Sequence, residues 1–139
     1  VIPGRTFITV DFRHPDDNVL SQMDRALRDS VAEICHKSGL EYELEQIFYY
    51  APIPFDKGCV SAVRAGADRM GYSAREIVTG AGHDACFIAQ SAPTSMIFIP
   101  CIDGISHNEV EDIKPEWATA GANVMLQAIL EKASVSEQP

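Results

Sequence analysis

Two prolines at alternate positions, in Ala51-Pro-Ile-Pro-Phe, limit more than any other feature what this chain can fold into. Each proline removes a backbone donor and fixes φ, so the stretch stays extended and can continue neither a helix nor an interior strand. It predicts a crossing between two domains, 1–55 and 56–139. A chain of 139 residues with 46% apolar composition has enough material for one mid-sized core or two small ones.

The residue patterns differ on the two sides of that crossing. From Thr6, Ile8, Val10 and Phe12 alternate with Phe7, Thr9, Asp11 and Arg13, which predicts a strand ending at Arg13. Pro15-Asp-Asp supplies a stop and a cap. Leu20, Met23, Leu27, Val31 and Ile34 then recur at helical spacing, and Gly39 is placed to close the helix. In 41–48, Glu41, Glu43 and Glu45 oppose Tyr42, Leu44 and Phe48, the pattern of a strand with one wet face. The first domain therefore reads as β-α-β.

Beyond the prolines, 56–70 reads as a helix with Val60, Val63 and Ala67 inward and Gly71 at its end. A short strand over 75–78 leads into Thr79-Gly-Ala-Gly-His-Asp-Ala, a helix through Gln90, and a buried strand, Met96-Ile-Phe-Ile. Pro100, Asp103 and Gly104 break that run into a loop carrying His107, and a last helix is expected over 115–132 with Trp117, Val124, Leu126 and Ile129 as its packing face. Alternating helix and strand predicts an α/β fold. The polar tail from Ser134 is expected to fray.

Composition excludes some partners. A net charge of -9 argues against nucleic-acid binding, which needs a basic face to displace counterions from phosphates. No apolar run approaches the ~20 residues that span a bilayer, and the N-terminus has no signal-like core, so no membrane association and a cytoplasmic location are expected. Cysteines 35, 59, 86 and 101 form no Cys-x-x-Cys pair and read as free thiols. Val1-Ile-Pro-Gly reads like protein interior, so the chain is expected to be a piece of something longer.

The candidate chemistry lies in three places. His107 can be a metal ligand with Asp103, Glu109 or Glu111 as partners, a base for Ser106 or Cys101, or an inert loop residue. Gly80-Ala-Gly-His-Asp can bring backbone amides and His83 to an anion or carboxylate, or be an ordinary tight turn capped by Asp84. Arg13 can clamp a carboxylate bidentately, or pair with Asp11 on its own strand. Spacing alone leaves these alternatives open.

Taken together, Asp11-Phe-Arg-His-Pro, Gly80-Ala-Gly-His-Asp-Ala, Ile99-Pro-Cys-Ile-Asp-Gly-Ile-Ser-His-Asn-Glu and Gly121-Ala-Asn-Val resemble the C-terminal part of the M20 metallopeptidase-like amidohydrolases. The likeness is to the branch of N-carbamoyl-L-amino-acid hydrolase, β-ureidopropionase and allantoate amidohydrolase, and covers the whole chain but about a third of a family member. It implies a two-domain fold: 1–55 is the second half of an α+β lid that mediates homodimerisation, and 56–139 closes the α/β catalytic domain. It implies His107 as one metal ligand, Arg13 as the grip on a substrate carboxylate, and Gly82 and His83 as substrate contacts.

The resemblance further implies two divalent ions, zinc, manganese, cobalt or nickel, with the remaining ligands and the catalytic glutamate preceding Val1. No catalytic residue is therefore assigned in this chain. The implied reaction is hydrolysis of the C–N bond of N-carbamoyl amino acids or related ureido acids, with a metal and a glutamate activating water. The isolated chain is expected to be inactive. The alternative is a non-catalytic binding or dimerisation module, presenting an exposed sheet edge to a partner. A third course, thiol-based hydrolysis through Cys101 or Cys86 with His83, has no evident orienting group.

Overall fold

The computed structural model describes residues 2–134, and the chain divides into two compact units, Val1–Ile53 and Pro54–Pro139. The division falls within the proline stretch. From residue 135 on, the tail expected to fray lies outside the described residues.

In the first unit, α1 spans Asp17–Ser38. Asp16 caps it, its carboxylate accepting the Asn18 N–H at 2.8 Å, so one of the orphan donors at the helix start is satisfied. Gly39 ends it at φ 66°, a left-handed angle that glycine adopts without a Cβ penalty, and the Leu40 N–H returns to the Cys35 carbonyl at 3.0 Å. Leu20, Met23, Leu27 and Val31 are half-buried, whereas Ile34 is exposed. Phe12 lines a shallow groove with Met23, Ala26 and Leu27, and the Tyr49 hydroxyl donates to Asp17.

The second unit is built on α2, Lys57–Arg69, and α4, Pro115–Ser134. Asp56 caps α2 through the Cys59 N–H at 2.8 Å, and Met70 and Gly71, the latter at φ 71°, close it. The two helices run antiparallel: Gly58 lies beside Lys132 at one end, and Asn123 donates to the Tyr72 hydroxyl at the other. Their contact is made of small residues. Ala62 and Ala67 of α2 and Val124 and Ala128 of α4 are buried. At Gly66 a Cβ would stand 3.0 Å from the Val124 carbonyl oxygen, so the backbones approach as closely as a glycine allows. Arg69 bridges the pair at the surface, donating to Gln127 and Glu131.

Three expectations need correction. The strands expected over 6–13, 41–48, 75–78 and 96–99 are not formed; among the described residues no strand is assigned. A strand is stabilised by a ladder partner and a covered face. Here Phe7, Ile8, Ile47 and Phe48 all remain more than two-thirds exposed, so the β half of the α/β expectation is not visible within these residues. The helix expected through Gln90 is a single turn and a half, α3 at Asp84–Ile88, followed by turns. On α4, Val124 is buried as expected and Trp117 is half-buried, but Leu126 and Ile129 are more than half exposed.

Residues 95–100 connect these parts. Ile99 packs so tightly on α4 that a Cβ on Gly121 would lie 2.6 Å from its Cγ2. Phe98 meets the His83 ring edge-on at 5.6 Å between centroids. The segment thus joins the helix pair to both loops where chemistry was expected.

Candidate active-site segments

Arg13 lies in the first unit, directly before the turn into α1. Its Nε and Nη2 both donate to Asp11 Oδ2, at 2.9 and 2.5 Å. The hydrogen bond from Arg13 holds the Asp11 carboxyl below the usual carboxylate range, and the same bond raises Arg13. Both side chains are more than half exposed, so the pair adds little to stability. Its chemical content is different: a guanidinium that engages a carboxylate at the surface through two N–H groups.

In the second unit, His83 is the N-cap residue of α3 in extended conformation, and its side chain makes no cap bond. Asp84, expected as the cap, is instead the first helical residue. The Thr79 hydroxyl accepts the Ala81 N–H at 3.1 Å and lies 3.4 Å from His83 Nε2, so Thr79 and Phe98 flank the imidazole. Gly82 is not at a positive φ, and a Cβ there would meet nothing within 4 Å. Gly82 therefore does not use the left-handed backbone freedom that glycine has. A need for glycine there would come from something that approaches it.

His107 sits in the loop that opens with the 3₁₀ turn Ile102–Gly104. The Ile102 N–H donates to the Asp112 carbonyl at 2.8 Å and closes the loop at its base. Within it, Asp103 and His107 both take φ 54°, left-handed angles uncommon for residues with a Cβ. Asn108 folds the far side: its side chain accepts the Val110 N–H at 3.1 Å and its carbonyl the Glu111 N–H at 3.0 Å. Glu111 then reaches back, Oε2 accepting the His107 N–H at 2.8 Å and Oε1 facing Cys101 Sγ at 3.5 Å.

This wiring bears on two of the readings of His107, a local metal site and a thiol partner. Glu111 directs both oxygens to groups of its own loop. Among the described residues no three His, Cys, Asp or Glu side chains gather in a way that could hold a metal ion, so Asp103, Glu109 and Glu111 do not complete a site around His107. His107 is exposed, and an imidazole is a side chain of the type that can ligate a metal. Thiol chemistry is disfavoured at Cys101. Burial and then the adjoining Glu111 carboxylate push that thiol up, opposite to the shift a nucleophilic cysteine needs.

Sequence reasoning did not find the roles of Thr79, Phe98 and Glu111. Thr79 and Glu111 each stand four residues from the histidine they serve, but across turns, where that spacing has no helical meaning.

The chain belongs to Peptidase family M20/M25/M40, whose profile matches residues 4–131. Two relatives within it are named as amidohydrolases. The chain is 44% identical over 137 residues to the N-carbamoyl-L-amino-acid amidohydrolase of Rhizobium meliloti, covering 99% of this chain and 33% of that protein. It is 37% identical over 111 residues to the allantoate amidohydrolase of Escherichia coli K12, covering 80% and 27%. Its fold matches the crystal structure of an amidase of the hydantoinase/carbamoylase family from Burkholderia multivorans with a TM-score of 0.83 at 67% identity, over 86% of this chain and 29% of that one. The chain thus spans about a third of the length of its relatives. No helix among the described residues is long and apolar enough to cross a membrane.

Proposed function

We propose that this chain is the C-terminal portion of a metal-dependent amidohydrolase that cleaves the C–N bond of N-carbamoyl amino acids or related ureido acids. The observation that carries the reading is the near end-to-end match to an N-carbamoyl-L-amino-acid amidohydrolase. Two features agree with it: His107 is exposed, and Arg13 holds a carboxylate, that of Asp11.

In this reading, 1–55 is half of a lid through which the protein forms a homodimer, and 56–139 closes the catalytic domain of a cytoplasmic enzyme. Arg13 exchanges Asp11 for the substrate carboxylate, positioning the substrate by a charge-assisted pair. The backbone at Gly82, where a side chain has been left out although space is free, admits the substrate, and His83, flanked by Thr79 and Phe98, donates to a substrate oxygen. His107 contributes one imidazole to a site for two divalent ions, zinc, manganese, cobalt or nickel. When bound, they supply Lewis acidity toward water and the scissile carbonyl. The general base lies outside this chain.

Metal analysis and an assay on two proteins test this. The chain 1–139 alone binds zinc or manganese below one equivalent and releases no amino acid from N-carbamoyl substrates, whereas the full-length protein containing it does both. Turnover by 1–139 alone would contradict the assignment of the base and the other ligands to the remainder. A full-length protein that binds no metal and hydrolyses none of these acids would favour a binding or dimerisation module.

A further inference from the structure

The 101–112 loop holds His107 in a backbone conformation that a residue with a Cβ seldom adopts, and such a conformation persists only where its surroundings over-determine it. Three fastenings are present. The Ile102 N–H to Asp112 carbonyl bond, 2.8 Å, closes the base, and the Asn108 turn directs the chain back beneath His107. The third, the Glu111 carboxylate, acts on His107 itself, at 2.8 Å from its N–H, and is charge-assisted. Its other oxygen faces the thiol of Cys101, at the start of the same loop.

We propose that Glu111 is a positioning residue: its carboxylate, joining the His107 N–H to the Cys101 thiol, fixes the loop so that the His107 imidazole is presented in one direction. Glu111 is therefore not a ligand or a base, despite standing among the acidic residues nearest His107. Glu109, two residues earlier, makes no such contact among the described residues and serves as an internal control. Groups that orient a ligand from behind commonly tune metal affinity by about 10- to 100-fold. The proposal rests on the reading of His107 as a ligand, and the test separates the two.

In the full-length protein, amide hydrogen exchange over 105–108 and zinc affinity by titration are measured for Glu111→Ala, Glu111→Gln, Glu109→Ala and His107→Ala. Glu111→Ala is expected to speed exchange in the loop at least about tenfold and weaken zinc about tenfold. Glu111→Gln, whose carbonyl still accepts the His107 N–H, retains most of both, and Glu109→Ala changes neither. Unchanged exchange in Glu111→Ala overturns the brace. Loss of zinc by Glu111→Gln as large as that of His107→Ala overturns it in favour of a ligand role. Unchanged zinc affinity in His107→Ala overturns the reading of His107 instead, and exchange still decides whether Glu111 braces the loop.

Discussion

Helices α1 and α4 are close in length, 22 and 20 residues, yet α1 buries no residue while α4 buries Val124 and Ala128 against α2. Apolar periodicity is clear in α1, so periodicity is not what separates them. The difference is a partner of matching shape. Gly66, Ala62 and Ala67 let the α2 backbone approach α4, and close approach removes both surfaces from water. The second unit consequently has a core of its own, which anchors Ile99 on Gly121 and so places the two loops that carry His83 and His107. In the first unit Arg13 forms an exposed ion pair with Asp11, two residues away.

The largest effect that could break this contrast is expected at His107. In the full-length protein His107→Ala should lower kcat for N-carbamoyl substrates by at least about a thousandfold, with less bound metal, because a metal centre works as a unit. A loss under tenfold would place the chemistry elsewhere. Next is Arg13→Ala, expected to lower kcat/KM by about 10- to 100-fold for a substrate with a free carboxylate. For the corresponding carboxamide, which offers no charge to grip, the change should be slight; equal losses on both would remove the clamp role.

Stability sharpens the same comparison at smaller scale. Gly66→Leu forces a side chain against the Val124 carbonyl and Gln127, and should destabilise the second unit by about 1–3 kcal/mol in denaturant unfolding. Ile34→Ala on α1, at a site 60% exposed, should stay within about 0.5 kcal/mol. The smallest effect concerns acid. The Cys59 N–H holds the Asp56 carboxyl below its ordinary value, so this cap stabilises α2 above the unfolded pKa of about 4 and the contribution fades as pH falls through the lower, folded value. Asp56→Asn, an uncharged cap, should flatten that part of the melting-temperature profile between about pH 5 and 2. An unchanged profile would show that the cap does not couple to folding.

Much of the helical skeleton was legible in the sequence because caps are local. Asp16 and Gly39, Asp56 and Gly71 each act on neighbours within a turn, and each bounds its helix within a residue or two of expectation. The strands were not legible in the same way, since alternation records which face is to be covered and not whether a partner strand is present. The segment 6–13 has the pattern and lacks the ladder. Core membership was legible at Ala67 and Val124 and missed elsewhere on α4 for a related reason. Large residues such as Leu126 and Ile129 were favoured, while the contact depends on glycine and alanine, which carry little apolar signal. At the candidate site the histidines and Arg13 could be named from residue type and motif. What adjoins them, Glu111 across a turn and Thr79 and Phe98 around His83, depends on backbone geometry that spacing does not encode.

One reaction tests the proposed function most directly. Full-length protein carrying this segment, given an N-carbamoyl-L-amino acid, should release the free amino acid and ammonia, lose that activity when a chelator strips its metal, and regain it when zinc, manganese, cobalt or nickel is restored. Metal-loaded protein that leaves N-carbamoyl and ureido acids intact, or hydrolysis indifferent to chelation, would contradict it.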